Sequence, residues 1–212
     1  MTMAPTTSPR PRARRLDATD LARVAVFAAL VAVLGLPGGF TVFGPVPITA
    51  QTLGVMLAGA ILGPWLGALS MAVLSALTAI GMPLLAGGHG GIGVFLGPSA
   101  GFALGWILGA AVIGLIVHAG GRKPVLWRTF LGTVAGGIVA VYVVGIAVQS
   151  AVTRLPLGET AATSMVFVPG DLVKAALATA IVMTLLRAYP RAFRRVWTAR
   201  PEPASDRVTL VP

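Results

Sequence analysis

The chain has 212 residues, of which 56% are hydrophobic and 10% charged, with a mean hydropathy of +0.90. A soluble domain carries about 25% charged residues, so the composition excludes an ordinary water-soluble fold and points to one membrane domain. The net charge of +10 is no nucleic-acid signature, because the basic residues sit in tails and one connection beside apolar segments, and the absence of cysteine excludes disulfides, a thiol nucleophile and thiolate metal sites.

Residues 1–17 are rich in Pro, Thr and Arg and are expected to be a disordered basic tail. The pair Arg14-Arg15 is not read as a twin-arginine signal, because Asp17 and Asp20 follow where such a signal continues apolar. Residues 18–189 are expected to form a single all-α membrane domain of six transmembrane helices. Its apolar segments are 21–36, 52–62, 65–80, 99–117, 129–148 and 167–186. A span needs about 20 residues. The second segment is short, and Gly63-Pro64 separates it from the third because proline lacks the helix donor. Residues 190–212 are expected to be a basic cytoplasmic tail. With six spans, 14 of the 16 Lys and Arg fall on one side, which the positive-inside rule makes cytoplasmic, with both termini there.

Three connections then meet on the outer side: 37–50, 81–98 with its run Gly87-Gly88-His89-Gly90-Gly91, and 151–166. The glycine run lacks the Gly-Lys-Ser/Thr ending of a phosphate loop and reads either as a lid or as a mobile connection. His89 and His118 have no neighbours at metal-ligand spacing.

Below these connections lie Asp171 and Lys174, at i and i+3 on one helix face. Either residue at the centre of a membrane helix costs about 2.5–3.5 kcal/mol. Asp171 follows Pro169-Gly170, so it reads either as a helix N-cap neutralised by Lys174 or as the polar floor of a pocket. Tyr142 and Gln149 are seven apart on one helix face, and Phe102 and Trp106 are four apart on another. Each pair alone fits packing; together they describe an apolar cleft with a few polar groups, the usual form of a small-molecule site.

The run Pro45-Val46-Pro47-Ile48-Thr49-Ala50-Gln51-Thr52-Leu53-Gly54-Val55 resembles the BioY family, as do Leu57 to Pro64, Gly81-Met82-Pro83, Gly90-Gly91-Ile92-Gly93, Leu96 to Phe102 and Gly170-Asp171-Leu172-Val173-Lys174. The resemblance runs in order over about residues 20–187. It implies a bundle like that of an energy-coupling factor S component, a multi-pass protein of a prokaryotic cell membrane. It also implies capture of biotin from the outer side, with no cofactor. The implied partners are a transmembrane coupling protein and two ATP-binding-cassette ATPase subunits, besides membrane lipid. The implied binding pair is Asp171 and Lys174, with Thr49, Gln51, Phe43, Gly88, His89, Phe102, Trp106, Tyr142 and Gln149 around it. An Asn that some members add before the glycine run has no counterpart, since the chain contains no Asn.

On the first helix, Ala25 with Ala29 and Ala28 with Ala32 form small-xxx-small pairs. The resemblance makes them a docking face for the coupling protein; packing inside the bundle is the other reading. An S component for another vitamin, or a self-sufficient carrier, stays open. A membrane-embedded hydrolase does not fit, because no His lies mid-helix. The chain has no Walker motif, so ATP hydrolysis falls to partners.

Overall fold

A computed structural model describes residues 16–39, 46–119 and 123–193, and the structure is helical. The helices are α1 (Ala18–Gly35), α2 (Gln51–Ala79), α3 (Ala100–Val117), α4 (Leu126–Val134), α5 (Val141–Thr153), α6 (Leu157–Ser164) and α7 (Val168–Ala188). A π segment, Ala135–Ala140, joins α4 to α5, and a 3-10 turn, Met165–Phe167, joins α6 to α7. Five helical runs among the described residues are long and apolar enough to cross a membrane: α1, α2, α3, Leu126–Thr153 and Leu157–Ala188.

The break expected at Gly63-Pro64 is a fold-back inside α2. Gly63 has φ 81° and ψ −177°, a backbone state open essentially to glycine alone. A straight 29-residue helix would be about 43 Å long. Yet Gln51 at its start bonds to Leu84 and Ala86 beyond its end. A Cβ on Gly67 would lie 3.0 Å from the Gly59 Cα, so the two arms touch. Pro64 cannot donate to the Ala60 carbonyl four residues earlier. His118, just past α3, fills that gap with its Nε2 2.8 Å from the Ala60 oxygen.

Three expectations change at the ends of elements. Asp17, assigned to the tail, caps α1 by accepting from the Asp20 N–H at 2.9 Å. The connection 151–166 holds α6, because Pro156 starts a new helix after Arg154 ends α5 in the left-handed conformation at φ 59°. Phe193, assigned to the other tail, is wholly buried at the end of a 3-10 turn. The expectations for residues 1–15 and 194–212 lie outside the described residues.

The core runs along α2, α3 and α7 and holds Met56, Met71, Leu74, Ile113 and Val182. Glycines let these helices approach closely: a Cβ on Gly114 of α3 would overlap Pro64 of the α2 turn. The result is a bundle held tight along α2 and α3, with a hollow left where α3, α5, α7 and the connections 46–50 and 81–99 converge.

Candidate functional site

That hollow is a cavity of about 300 Å³, at the small end of ligand pockets. Val46, Ile48, Leu85, Val94, Phe102 and Phe167 give it apolar walls. Phe102 stands edge-on to both Tyr142 and Phe167, with ring centroids 5.9 and 6.4 Å away. One wall is polar, and it is built around Asp171 and Lys174.

Asp171 lies in the first turn of α7, whose N-cap is Phe167 without a side-chain bond. The N-cap reading of Asp171 is therefore corrected: the N-cap is Phe167, four residues earlier, and the Asp171 carboxylate does not cap the helix. Instead Oδ2 accepts from the Tyr142 hydroxyl at 2.7 Å. Oδ1 accepts from Lys174 Nζ at 2.9 Å and from Thr52 Oγ1 at 3.2 Å. Lys174 also donates to the Thr49 carbonyl at 2.6 Å and to Thr52 Oγ1 at 3.0 Å. Residues far apart in sequence are thus drawn into one network. Asp171 is 4% exposed, so its side chain relies on these protein partners rather than on water for hydrogen bonds.

The donor count sets what this wall can do. A carboxylate offers about four acceptor sites, and Asp171 uses three. An ammonium has three donors, and Lys174 uses all three. Trp106 also lines the cavity, and its indole N–H is buried without a partner. A site whose lining holds a spare acceptor and a spare donor is complementary to a small ligand that presents both.

Other expected site residues divide. Thr49, Gln51, His89, Phe102, Trp106 and Tyr142 all line the cavity. Gln51, however, spends its amide on structure: Nε2 donates to the Val31 and Leu84 carbonyls, and Oε1 accepts from the Ala86 N–H. It staples α1 and the 84–86 segment to the start of α2. His89 holds its Nδ1 2.8 Å from the Ala86 carbonyl, which places the proton on that nitrogen. Gly88 lies outside the cavity wall and is exposed, because the left-handed turn at Gly87 and Gly88 swings outward. Gln149 is buried but outside the wall, its Oε1 without a partner. Phe43 lies outside the described residues.

Thr52 was missed as a site residue. Its one sequence signal is its place beside Gln51 at the start of an apolar helix, where a hydroxyl could equally bond its own backbone. The alanine pairs also divide. Ala25 and Ala29 are exposed, whereas Ala28 is buried in the core and Ala32 packs against it. Among the described residues no cluster of metal-ligating side chains forms.

The sequence profile of the BioY family matches residues 7–191. The chain belongs to the BioY family. It is 44% identical over 178 residues to a biotin transporter BioY of Rhodobacter capsulatus, an alignment covering 80% of this chain and 94% of that one. It is 45% identical over 174 residues to a probable biotin transporter BioY of Bacillus subtilis, covering 82% and 93%. Its fold matches the crystal structure of the S component for biotin from an ECF-type ABC transporter, with a TM-score of 0.76 and 34% identity over 83% of this chain and 96% of that one. These relatives carry the names of biotin transporters, and the five long apolar helices of this chain make it a multi-pass membrane protein.

Proposed function

We propose that this chain captures biotin as the S component of an energy-coupling factor transporter in a prokaryotic cell membrane. The observation that carries the reading is the Asp171–Lys174 pair set in a largely apolar cavity, in a chain of this family. The ureido ring of biotin offers two N–H donors and one carbonyl. One N–H donates to the open acceptor site of Asp171. The carbonyl accepts from the Trp106 indole N–H, or from Lys174 once it exchanges its bond to Thr49. The Tyr142 hydroxyl holds the carboxylate in place from behind. Phe102 and Phe167 supply a surface for the thiophane ring and the acyl chain. The missing Asn contact is then supplied by Trp106. No cofactor is needed for capture.

The two arms of α2 are proposed to cross the membrane separately, which makes six passages and places both termini in the cytoplasm. The fold-back at Gly63 and the clustering of Arg23, Lys123, Arg128, Arg187 and Arg191 at segment ends support this. The exposed face of Ala25 and Ala29 on α1 is proposed to dock a transmembrane coupling protein, which with two ATPase subunits drives release inward. Purified protein titrated with biotin, desthiobiotin, thiamine and riboflavin tests the reading. Tight biotin binding, weaker desthiobiotin binding and no binding of the other two are expected. Saturable binding of thiamine or riboflavin without biotin overturns it.

A further inference from the structure

The rim of the cavity is uneven. The second arm of α2, residues 64–79, spans about 24 Å at 1.5 Å per residue, short of the roughly 30 Å hydrocarbon layer. Its inner end is marked by Trp65, 84% exposed, a residue type that settles at the membrane interface. α3, with 18 residues, spans about 27 Å. The runs Leu126–Thr153 and Leu157–Ala188, with 28 and 32 residues, are long enough to pass beyond the bilayer core. By these lengths the connection between α2 and α3 is expected to start nearer the bilayer core than the connection that holds α6.

The low side is built for that depth. Residues 24–121 contain no Asp, Glu, Lys or Arg, whereas the high side carries Arg154 and Glu159. Ile80, Ile92 and Leu96 are exposed on the low side at 78%, 66% and 73%. Leu104, Leu108 and Leu115, at helical spacing along α3, are exposed as well. The main chain is paired internally: Gly91 N–H donates to the Thr78 carbonyl at 2.7 Å, Met82 to Leu77, and Leu85 to His89. That pairing lowers the cost of leaving bulk water. Within the 3-10 turn Ile92–Leu96, Val94 lines the cavity while Ile92 and Leu96 face outward.

We propose that this turn is a lipid-seated wall: Ile92 and Leu96 insert into the outer-leaflet interface, and the phospholipid surface holds Val94 against the ligand cavity. The partner is lipid rather than a second protein, because the exposed side chains are apolar, precede the membrane-spanning α3, and lie in a stretch, residues 24–121, that holds no charged residue to pair with a protein. The insertion itself is independent of the ligand's identity; only its effect on binding rests on the biotin reading.

The absence of cysteine makes the test direct. Single cysteines at Ile92, Leu96 and, as a control, Glu159 are spin-labelled in the full chain and placed in phosphatidylcholine–phosphatidylglycerol nanodiscs. Collisions with oxygen and with a water-soluble nickel chelate are then compared. Labels at 92 and 96 are expected to favour oxygen, and the label at 159 to favour nickel. Labels at 92 and 96 that match 159 overturn the proposal, as does exclusion of both reagents, which signifies a protein partner. In a second measurement, I92E/L96E is expected to release biotin about threefold or more faster in nanodiscs, because the charges lift the turn out of the interface. Unchanged release, when a label at Gly93 of the same turn shows that the variant has left the interface, overturns the supporting role of lipid. Loss of biotin binding by the parent protein would refute the biotin reading and leave the depth measurement standing.

Discussion

Replacing Asp171 with leucine removes more than a ligand contact. Lys174 loses its ion partner and keeps only the Thr49 carbonyl and Thr52 hydroxyl. The Tyr142 hydroxyl loses its acceptor inside the protein. Breaking a buried pair costs about 3–5 kcal/mol. The Lys174 side chain is 17% exposed and cavity water offsets part of this, so about 2–3 kcal/mol is expected. For a chain of this size that lowers Tm by about 5–10 °C. Biotin binding loses a charge-assisted hydrogen bond, about 1.5–3 kcal/mol or about 10- to 150-fold in Kd. Replacing both partners, D171L/K174M, leaves no buried charge, so most of the melting temperature returns while binding stays lost. Thermal melting followed by tryptophan fluorescence and calorimetric titration with biotin separate the two effects. A single variant that melts like the parent refutes the pairing argument. A double variant that binds biotin with parental affinity refutes the pocket.

Trp106→Phe keeps the ring volume and removes the free indole N–H, so biotin affinity is expected to fall about tenfold with Tm unchanged or slightly raised; calorimetry and melting check both. Gln51→Leu takes the side-chain partner from the Ala86 N–H and the Leu84 carbonyl and a second bond from the Val31 carbonyl, so Tm is expected to fall about as far as for Asp171→Leu, with faster proteolysis in residues 82–90. Ala29→Leu is expected to leave biotin binding intact and weaken co-purification with a coupling protein, whereas Ala28→Leu overpacks the core at about 1–3 kcal/mol and lowers Tm. His118 lies just past α3, and burial, aided by Arg128 and opposed by its bond to Ala60, holds its pKa below the ordinary 6.5. Below that pH the unfolded chain takes up a proton that the folded chain refuses, so Tm falls with acidification; His118→Gln is expected to flatten that slope in melts from pH 7.5 to 5.

Much of the site was legible along the chain. A carboxylate and an ammonium one turn apart in an apolar run carry a local cost that has to be met by something, so Asp171 and Lys174 declare themselves without coordinates. Tyr142, Phe102 and Trp106 follow from helix periodicity, and the break at Gly63-Pro64 from the missing proline donor. Composition alone settles that the protein lives in a membrane. What the neighbours of each group are is a different matter. Whether α2 continues past Gly63 or doubles back is settled by contacts such as Gly67 on Gly59 and Gln51 on Ala86, which join residues far apart in sequence. The same holds for the roles of polar residues. Gln51 and Thr52 are adjacent and both polar, yet one is spent on three main-chain groups and the other completes the charged network. Ala28 and Ala29 differ only in which side of α1 the bundle covers. Side-chain chemistry and spacing are local properties, so sequence determines them; which donor meets which acceptor, and which face meets lipid, depends on where the helices cross, and only the folded chain decides that.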